Sequence, residues 1–435
     1  MSRHISRRVF LRGGSAAACA SAVSLASIKA AFAADLQWTS AWKVDSGYWE
    51  KVRKDFHIEK GLAYLNTGTL GATPGPVLKA MDRYWQLMAE NPHENSAVLQ
   101  GRVELIRQNA ARFIGAQPDE IAILRNATEG NNLVCQGIDL SRGDEVLIGT
   151  LEHDSNRQPW LVKAKRSGVV VTQVPIGTPP RSPQEIVDAF AAAITSRTKV
   201  ISLAHCDTVT GTITPIKEIA ALARGKGILC FVDGAQVLGA LQVDVHDLGV
   251  DSYATTCHKW LASPAGTGLL YVRKDVQDRI WPNILTENWW THADARKYDR
   301  LSRRPWPVVA ALEHALDFQR ALGQERIEQR VRDLGNYFRA RASEIPHVVL
   351  YTAVDPRLAA GLTSLALENV PSVRAREYLR QRFDVYTAAR TRGERYPSDP
   401  HGVTGFRVST HYYNTYEEVD RLLGGLKALA TGAAS

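Results

Sequence analysis

Between residues 76 and 273, short apolar segments alternate with segments of helical periodicity, and this alternation constrains the fold more than any other feature. Seven of the apolar segments are predicted strands: EIAILR, DEVLIG, VVVTQV, KVISLAH, ILCFVD, DSYATT and TGLLYV. The run at 228–232 is continuously apolar, which is typical of a parallel strand that is buried on both faces. We therefore predict an α/β fold built on a mainly parallel seven-stranded sheet.

The pattern changes after the seventh segment. A tryptophan-rich connection at 281–306 leads into a predicted long amphipathic helix at about 307–342, and shorter strands and helices follow. A mature chain of about 400 residues exceeds one ordinary hydrophobic core, so two domains are expected. We predict a large domain at 76–300 and a smaller α+β domain at 301–435, with residues 35–75 packing on the small domain and the functional site.

The first 34 residues have the features of an export signal. Arg7 and Arg8 form a twin-arginine motif, an Ala/Ser-rich run follows, and Ala31 and Ala33 form an A-x-A cleavage site. The run is too short and too polar to be a membrane span. We predict a cleaved signal at 1–34, the twin-arginine translocation machinery as a partner, a periplasmic mature protein and no stable membrane anchor after cleavage.

Most of the net positive charge of the chain comes from this leader. The chain has 53 basic and 45 acidic residues, and the leader carries five of the basic residues and no acidic residue. The mature chain therefore has 48 basic and 45 acidic residues. Because it also has no basic aromatic tract, nucleic acid is not an expected partner. Four cysteines lie after the leader, and their spacing predicts no metal site: Cys135, Cys206, Cys230 and Cys257.

A carboxylate and a lysine are expected together at one edge of the sheet. Asp233 ends the apolar run at 228–232, and Lys259 follows the next predicted strand. Ligands of open α/β sheets bind at the carboxyl edge, where the loops converge. Pyridoxal phosphate (PLP) needs an amine to hold its aldehyde as a Schiff base and an anion to keep its pyridine nitrogen protonated. Each residue alone would more often be a helix cap or a solvated lysine, but the pair favours PLP.

The motifs DGAQ, CHKW and PAGTGLLYVR around this pair resemble the class V aminotransferase family of PLP enzymes. The family also includes cysteine desulfurases and isopenicillin N epimerase-like proteins, and the resemblance extends over residues 64–426. It implies fold type I, a homodimer and PLP as the cofactor. By the same resemblance, Lys259, Asp233 and His153 are the expected catalytic residues, with His153 stacking on the cofactor ring.

The resemblance also assigns the remaining cofactor and substrate contacts. The turn ATE resembles the family's phosphate-binding turn, although a threonine that only caps a helix would look the same. The expected cofactor contacts are Ala127, Thr128, Glu129, His153, Thr208, Asp233, Gln236, Thr256, His258 and Lys259. Arg407 is expected to hold the substrate carboxylate, and Asn66 belongs to a loop that is expected to close over the site.

Two features depart from the family pattern. Thr208 stands where many relatives place asparagine, which alters the polar contact near the ring oxygen. Relatives also carry a Gly-Thr pair that reaches the phosphate of the neighbouring subunit's cofactor, whereas this chain has YDRLSRR at 298–304. Ser302 or one of the arginines would have to replace that contact.

We therefore predict an exported PLP enzyme that acts on the amino group or α-carbon of an amino acid or a related metabolite, by transamination or epimerisation. A periplasmic enzyme that modifies a glutamyl group of a siderophore such as pyoverdine is one alternative, and a PLP-binding protein without turnover is another. A cysteine desulfurase or lyase is disfavoured, because no cysteine follows Lys259 and only Cys257 adjoins it.

Overall fold

The computed structural model describes residues 47–286, 291, 293–368, 370–390 and 404–432, and the predicted export signal lies outside these residues. The strands are β1 (Ala63–Tyr64), β2 (Ile121–Leu124), β3 (Glu145–Gly149), β4 (Val170–Val174), β5 (Thr198–Ala204), β6 (Leu229–Asp233), β7 (Ser252–Thr256), β8 (Gly268–Val272), β9 (Val348–Leu350), β10 (Leu362–Leu367), β11 (Val385–Tyr386), β12 (Ala388–Arg390) and β13 (Gly405–Ser409).

Thirteen α-helices lie between the strands or flank them along the described chain, and none separates β7 from β8. They are α1 (Tyr48–Lys54), α2 (Gly75–Glu90), α3 (Pro92–Gly101), α4 (Val103–Phe113), α5 (Ala127–Gly137), α6 (Asp154–Ser167), α7 (Pro183–Ala193), α8 (Ile216–Arg224), α9 (Val245–Leu248), α10 (Trp306–Leu322), α11 (Gln324–Ala342), α12 (Ser372–Phe383) and α13 (Tyr416–Ala430). Short 3₁₀ helices lie at Pro118–Glu120, Lys274–Arg279 and Ala295–Tyr298.

All seven predicted strands form one sheet, in the order β2-β8-β7-β6-β5-β3-β4. The strands β7, β6, β5, β3 and β4 pair in parallel, and β8 pairs antiparallel with both of its neighbours. The prediction of a mainly parallel sheet is therefore confirmed. The continuously apolar β6 is central and buried along its whole length, and Asp233 stands at its carboxyl end.

Helix α5 packs closely against the sheet through a glycine. A Cβ added at Gly130 would lie 2.8 Å from the Cβ of Ala254 on β7, so a larger residue would push the helix away. A hydrophobic cluster that includes Trp160 and Phe231 fills this side of the sheet, and their ring centroids lie 6.4 Å apart. This close packing fixes the N-terminus of α5 beside the carboxyl end of β7.

A second, four-stranded antiparallel sheet has the order β12-β13-β10-β9, and a second hydrophobic cluster packs it against α11, α12 and α13. The N-terminal segment joins this region, because β1 pairs in parallel with β11 and Asn66 forms a bridge with Ser409. The last helix begins with a capping box, in which Thr415 and Glu418 bond reciprocally.

The predicted long helix at 307–342 is wrong in one respect, because the structure divides it into α10 and α11 at Gly323. Gly323 has a φ of +90°, which glycine adopts easily but which does not continue a helix. The amphipathic pattern spans this break because both helices bury apolar faces. Within the described residues, no helix combines the length and the apolar character that crossing a bilayer requires.

Candidate active site

The loops that leave the carboxyl ends of the parallel strands surround a cavity of about 610 Å³. Lys259 lines it, three residues after the end of β7. The backbone of the N-terminal loop lies directly against this lysine, since a Cβ at Gly71 would come within 1.9 Å of the Lys259 carbonyl oxygen. Burial lowers the pKa of Lys259 to about 8, although the charge of Asp233 opposes the shift. About a tenth of the amine is therefore neutral at pH 7, and the neutral form is the nucleophile.

Asp233 lines the same cavity and is only 5% exposed. One carboxylate oxygen accepts a hydrogen bond of 2.7 Å from Asn131 Nδ2 and lies 3.4 Å from Ser155 Oγ. The other accepts the backbone N–H of Ala235 at 3.0 Å. Sequence reasoning missed Asn131, because only the approach of α5 to the sheet brings it to the carboxylate.

The predicted phosphate turn lies at the N-terminus of α5, but the capping residue is Asn126 rather than Thr128. The Asn126 side chain accepts from the amide of Glu129 at 3.0 Å, so Thr128 is not the cap and lines the cavity instead. Ala127 also lines the cavity, and its amide donates to Thr256 Oγ1 at 2.9 Å. The side chain of Glu129 is not part of the cavity lining, because it pairs with Arg125.

His258 and Thr256 line the same cavity as the N-terminus of α5. Burial, reinforced by the positive charge of Lys259, lowers the pKa of His258 to about 4, so the ring is neutral near pH 7. Its Nδ1 is buried and has no hydrogen-bond partner within the described chain. A buried ring nitrogen without a partner indicates that a further group completes this part of the site.

His153 lines the cavity from the loop after β3, where it is the N-cap of α6. Its Nδ1 accepts from the backbone N–H of Ser155 at 3.1 Å and lies 2.8 Å from the hydroxyl of the same residue. Ser155 therefore stands between His153 and Asp233. Sequence reasoning missed this serine, and its position two residues after the histidine was the only available signal.

Gln236 and Thr208 also line the cavity and contact each other. The Gln236 side-chain nitrogen donates to the Gly68 carbonyl at 2.9 Å and to Thr208 Oγ1 at 3.1 Å. Thr208 Oγ1 also accepts from Arg407 Nη1 at 2.5 Å. The departure at Thr208 therefore links the predicted ring contact to the predicted carboxylate clamp.

Arg407 lines the cavity from β13 and is 5% exposed. Besides Thr208, it donates to Thr69 Oγ1 at 2.5 Å and to Asn66 Oδ1 at 3.4 Å. Asn66 supports the arginine but does not line the cavity, whereas Thr69 does. Thr69 was missed, because nothing in the loop YLNTGTLG distinguishes one polar residue from the next.

All four cysteines of the described chain are buried and unpaired. Cys257 is fully buried and does not line the cavity, so its proximity in sequence to Lys259 does not place its thiol there. Cys206 lines the cavity instead. Burial, together with the charge of Asp207, raises the pKa of the Cys206 thiol far above its ordinary value, so it is not a thiolate.

The segment at 298–304 lies elsewhere. It lines a second cavity of about 800 Å³ that shares no lining residue with the first. Ser302 and Arg303 are exposed, whereas Arg304 is buried. Within a single chain, neither Ser302 nor an arginine of this segment reaches the cavity of Lys259.

The residues of the first cavity fit PLP. They provide an amine with a lowered pKa, a buried carboxylate, and a helix N-terminus next to a hydroxyl group and a buried, unpartnered imidazole nitrogen. Its volume of about 610 Å³ lies within the usual range for small-molecule sites. Lys259, Asp233 and Thr128 are therefore suited to hold the aldehyde, the ring nitrogen and the phosphate, respectively.

Comparison with known proteins agrees with this fit. The model of the family described as Aminotransferase class-V matches residues 63–422. An isopenicillin N epimerase of Amycolatopsis lactamdurans is 30% identical over 405 residues, which cover 88% of this chain and 98% of that protein. A probable cysteine desulfurase of Halalkalibacterium halodurans is 31% identical over 394 residues, which cover 84% of this chain and 92% of that protein. A solved structure of a C-DES mutant, with glycine covalently linked to its PLP cofactor, matches with a TM-score of 0.77 and 26% identity. The match covers 86% of this chain and 98% of that protein's chain.

Proposed function

Because this chain belongs to the class V aminotransferase family and is a PLP enzyme of fold type I, we propose that it acts on the amino group or α-carbon of an amino acid. PLP supplies an aldehyde that condenses with amines and a ring that accepts electrons. The observation that carries the proposal is the placement of Lys259, Asp233 and Arg407 around one cavity. The cavity offers a group for each end of an amino acid. PLP held by Lys259 would react with the amine, and the Arg407 guanidinium would bind the carboxylate.

Lys259 is the group that moves protons in this proposal. Its amine holds the cofactor before the substrate arrives, and once displaced it takes a proton from the α-carbon and returns it. The lowered pKa of Lys259, about 8, supports this role, because a base has to be neutral to accept a proton. Asp233, whose carboxylate is held by Asn131 and the Ala235 amide, would hold the ring nitrogen.

Arg407 orients the substrate. Its guanidinium can bind a carboxylate through two parallel hydrogen bonds, which fixes the α-carbon relative to Lys259. The hydroxyls of Thr208 and Thr69 hold the guanidinium in place before substrate binds. This support reduces the reorganisation that substrate binding requires.

Transamination and epimerisation are the reactions we propose first, because both begin when Lys259 removes the α-proton; epimerisation also needs a proton delivered to the opposite face of the α-carbon. Sulfur transfer from cysteine would need a thiolate that accepts the sulfur. The only cysteine that lines the described cavity is Cys206, whose thiol pKa is raised by burial. We therefore rank the cysteine desulfurase reaction behind transamination and epimerisation, although one relative is named a probable cysteine desulfurase.

We also propose that the mature enzyme is a periplasmic homodimer, exported through the twin-arginine pathway. The Arg7–Arg8 pair and the A-x-A site support export, and the frequency of two-fold oligomers supports the dimer. Cell fractionation of the wild type and of an Arg7→Lys, Arg8→Lys double variant tests export. Retention of the wild type in the cytoplasm would refute it.

The central test combines spectroscopy with product analysis. We expect purified protein with PLP to show a near-visible band that borohydride fixes covalently, and Lys259→Ala to lose this covalent attachment. Lys163→Ala is a matched control, because Lys163 is also buried but does not line the cavity. An unchanged adduct in Lys259→Ala would refute the proposal.

A panel of amino acids then identifies the reaction. A spectral change that a keto acid reverses indicates transamination, and an inverted substrate with a restored spectrum indicates epimerisation. Release of sulfide or persulfide would favour the desulfurase or lyase reading instead. Absence of any spectral change with all amines tested would indicate a binding protein without turnover.

A further inference from the structure

The loop that follows β5 is folded around one buried carboxyl group. Asp207 is 8% exposed, and both of its carboxyl oxygens accept hydrogen bonds from the residues that follow it. One oxygen accepts the backbone N–H groups of Val209 and Thr210, at 2.7 and 2.6 Å. The other accepts the N–H of Thr212 at 3.0 Å and the Thr210 hydroxyl at 2.5 Å. These four bonds fix the backbone on both sides of Thr208.

The four-stranded sheet holds the same loop from the other side. Ser364 on β10 and Arg407 on β13 are paired directly opposite each other. The Ser364 hydroxyl donates to the Val209 carbonyl, and Arg407 Nη1 donates to Thr208 Oγ1 at 2.5 Å. Paired residues of the sheet therefore contact adjacent residues of the loop. The conformation of this loop decides where the Thr208 hydroxyl meets the guanidinium.

Only a side chain with two acceptor oxygens can make all the backbone bonds of Asp207. Each carboxyl oxygen faces at least one backbone N–H, and a backbone N–H is a donor only. An asparagine would keep the shape but replace one oxygen with an N–H₂ group. In either orientation, that group would face a buried backbone N–H and leave it without its acceptor, which destabilises this conformation of the loop.

We propose that Asp207 is a positioning residue for the substrate, because it folds the loop at 207–212 so that Thr208 holds the Arg407 guanidinium ready for a carboxylate. Asp207 does not line the cavity of Lys259, so its effect on the substrate passes through Thr208 and Arg407. The inference rests on the proposed function, since it concerns how the carboxylate of the amino acid is recognised.

The test compares amino acids with amines that lack only the α-carboxylate. Three such pairs are alanine with ethylamine, glutamate with 4-aminobutyrate, and phenylalanine with phenethylamine. For each compound, we measure the concentration that gives half of the maximal spectral change of the PLP-loaded enzyme. The wild type should respond to at least one amino acid at a lower concentration than to its paired amine, because only the amino acid offers an α-carboxylate to Arg407. The ratio of the two concentrations is the carboxylate preference.

Asp207→Asn should reduce the carboxylate preference about tenfold and leave the response to the amine unchanged. Asp251→Asn is the matched control and should keep the wild-type preference. Asp251 is 6% exposed and also accepts a backbone N–H, that of Cys230 at 2.7 Å, but it lies at the amino end of β7, away from the cavity. An unchanged preference in Asp207→Asn would overturn the inference.

A double variant checks that Asp207 acts through Thr208. Thr208→Val lacks the hydroxyl that accepts from Arg407, so adding Asp207→Asn should reduce the carboxylate preference no further. A full additional loss in the double variant would show that Asp207 acts by another route and would overturn the inference. A wild type that responds to no amino acid and no amine would instead refute the proposed function itself.

A milder variant keeps the inference testable if Asp207→Asn does not fold. Thr210→Val keeps the volume of a fully buried side chain and removes one of the four hydrogen bonds to Asp207. The carboxylate preference should fall in the same direction but less, by about threefold. An unchanged preference in Thr210→Val would show that these bonds do not set the position of Arg407 and would overturn the inference.

Discussion

The two ends of the cavity are built in different ways. The cofactor end, the part proposed to hold PLP, consists of lining residues between 127 and 259 other than Thr208, which lie at the carboxyl ends of neighbouring strands or at the N-terminus of a helix that packs on them. The carboxylate end joins residues that are far apart in sequence: Arg407 on β13, Thr208 after β5, and Asn66 and Thr69 near the N-terminus.

This difference shows which part of the site depends on one sheet. Parallel strands bring all their carboxyl ends to one edge, so the cofactor end follows from strand order alone. The carboxylate end requires the four-stranded sheet and the N-terminal loop to meet, which they do through the Asn66–Ser409 bridge. We therefore expect the cofactor end and the carboxylate end to respond separately to mutation.

The largest effect is expected at the cofactor end, from Asp233→Asn. The substitution keeps the shape but removes the charge that faces the ring nitrogen, so turnover should fall by about 10²–10³-fold. Turnover with a responsive amino acid, together with the near-visible spectrum, measures this. Asp188→Asn, on the surface helix α7, is the matched control. Wild-type turnover in Asp233→Asn would contradict the assigned role.

Arg407→Lys should separate the two ends most clearly. Lysine keeps the charge but loses the two parallel hydrogen bonds, so kcat/KM should fall by about 10–100-fold, mainly through KM. The cofactor band should stay unchanged, because Asp233 and Lys259 are untouched. Steady-state kinetics and absorption spectra check this. Loss of cofactor with an unchanged KM would show that the ends are not separable.

The pH dependence of cofactor binding tests the cofactor end alone. Burial depresses the pKa of Lys259 from 10.5 to about 8, so the neutral amine accumulates as pH rises through 8. The rate at which apoprotein takes up PLP covalently should rise about tenfold from pH 7 to pH 9. By linkage, unfolded Lys259 binds its proton up to pH 10.5, so apoprotein stability should also rise between pH 8 and 10.5. Lys259→Met should lack both changes, and their persistence in this variant would assign them to another group.

The smallest effect is expected from Thr415→Ala, which should touch neither end. It removes the side-chain cap of α13, whose oxygen accepts from the Glu418 amide at 3.2 Å. The free energy of unfolding should fall by about 1 kcal/mol with unchanged KM and cofactor spectrum. Thr431→Ala, at the exposed end of the same helix, should change it less. A change in KM would indicate that α13 transmits strain to Arg407.

Much of the fold and of the cofactor end could be predicted from the sequence. Most of the seven strands have an apolar core bounded by turn or helix signals, and Asp233 directly ends one of them. The break at Gly323 was not predicted, because the apolar pattern continues across it. The capping role of Asn126 was not recognised either, since Thr128 is an equally good capping residue type two positions later.

The sequence by itself determined the sheet and the edge at which chemistry takes place, because strand periodicity and strand ends are local properties. Only the tertiary structure decided which polar side chains support the reactive groups. Asn131 reaches Asp233, Thr69 reaches Arg407, and Trp260 reaches Gln236, and each contact joins separate elements. Such contacts depend on how closely helices and loops approach the sheet, and that distance is set by packing across the whole core, which no local pattern encodes.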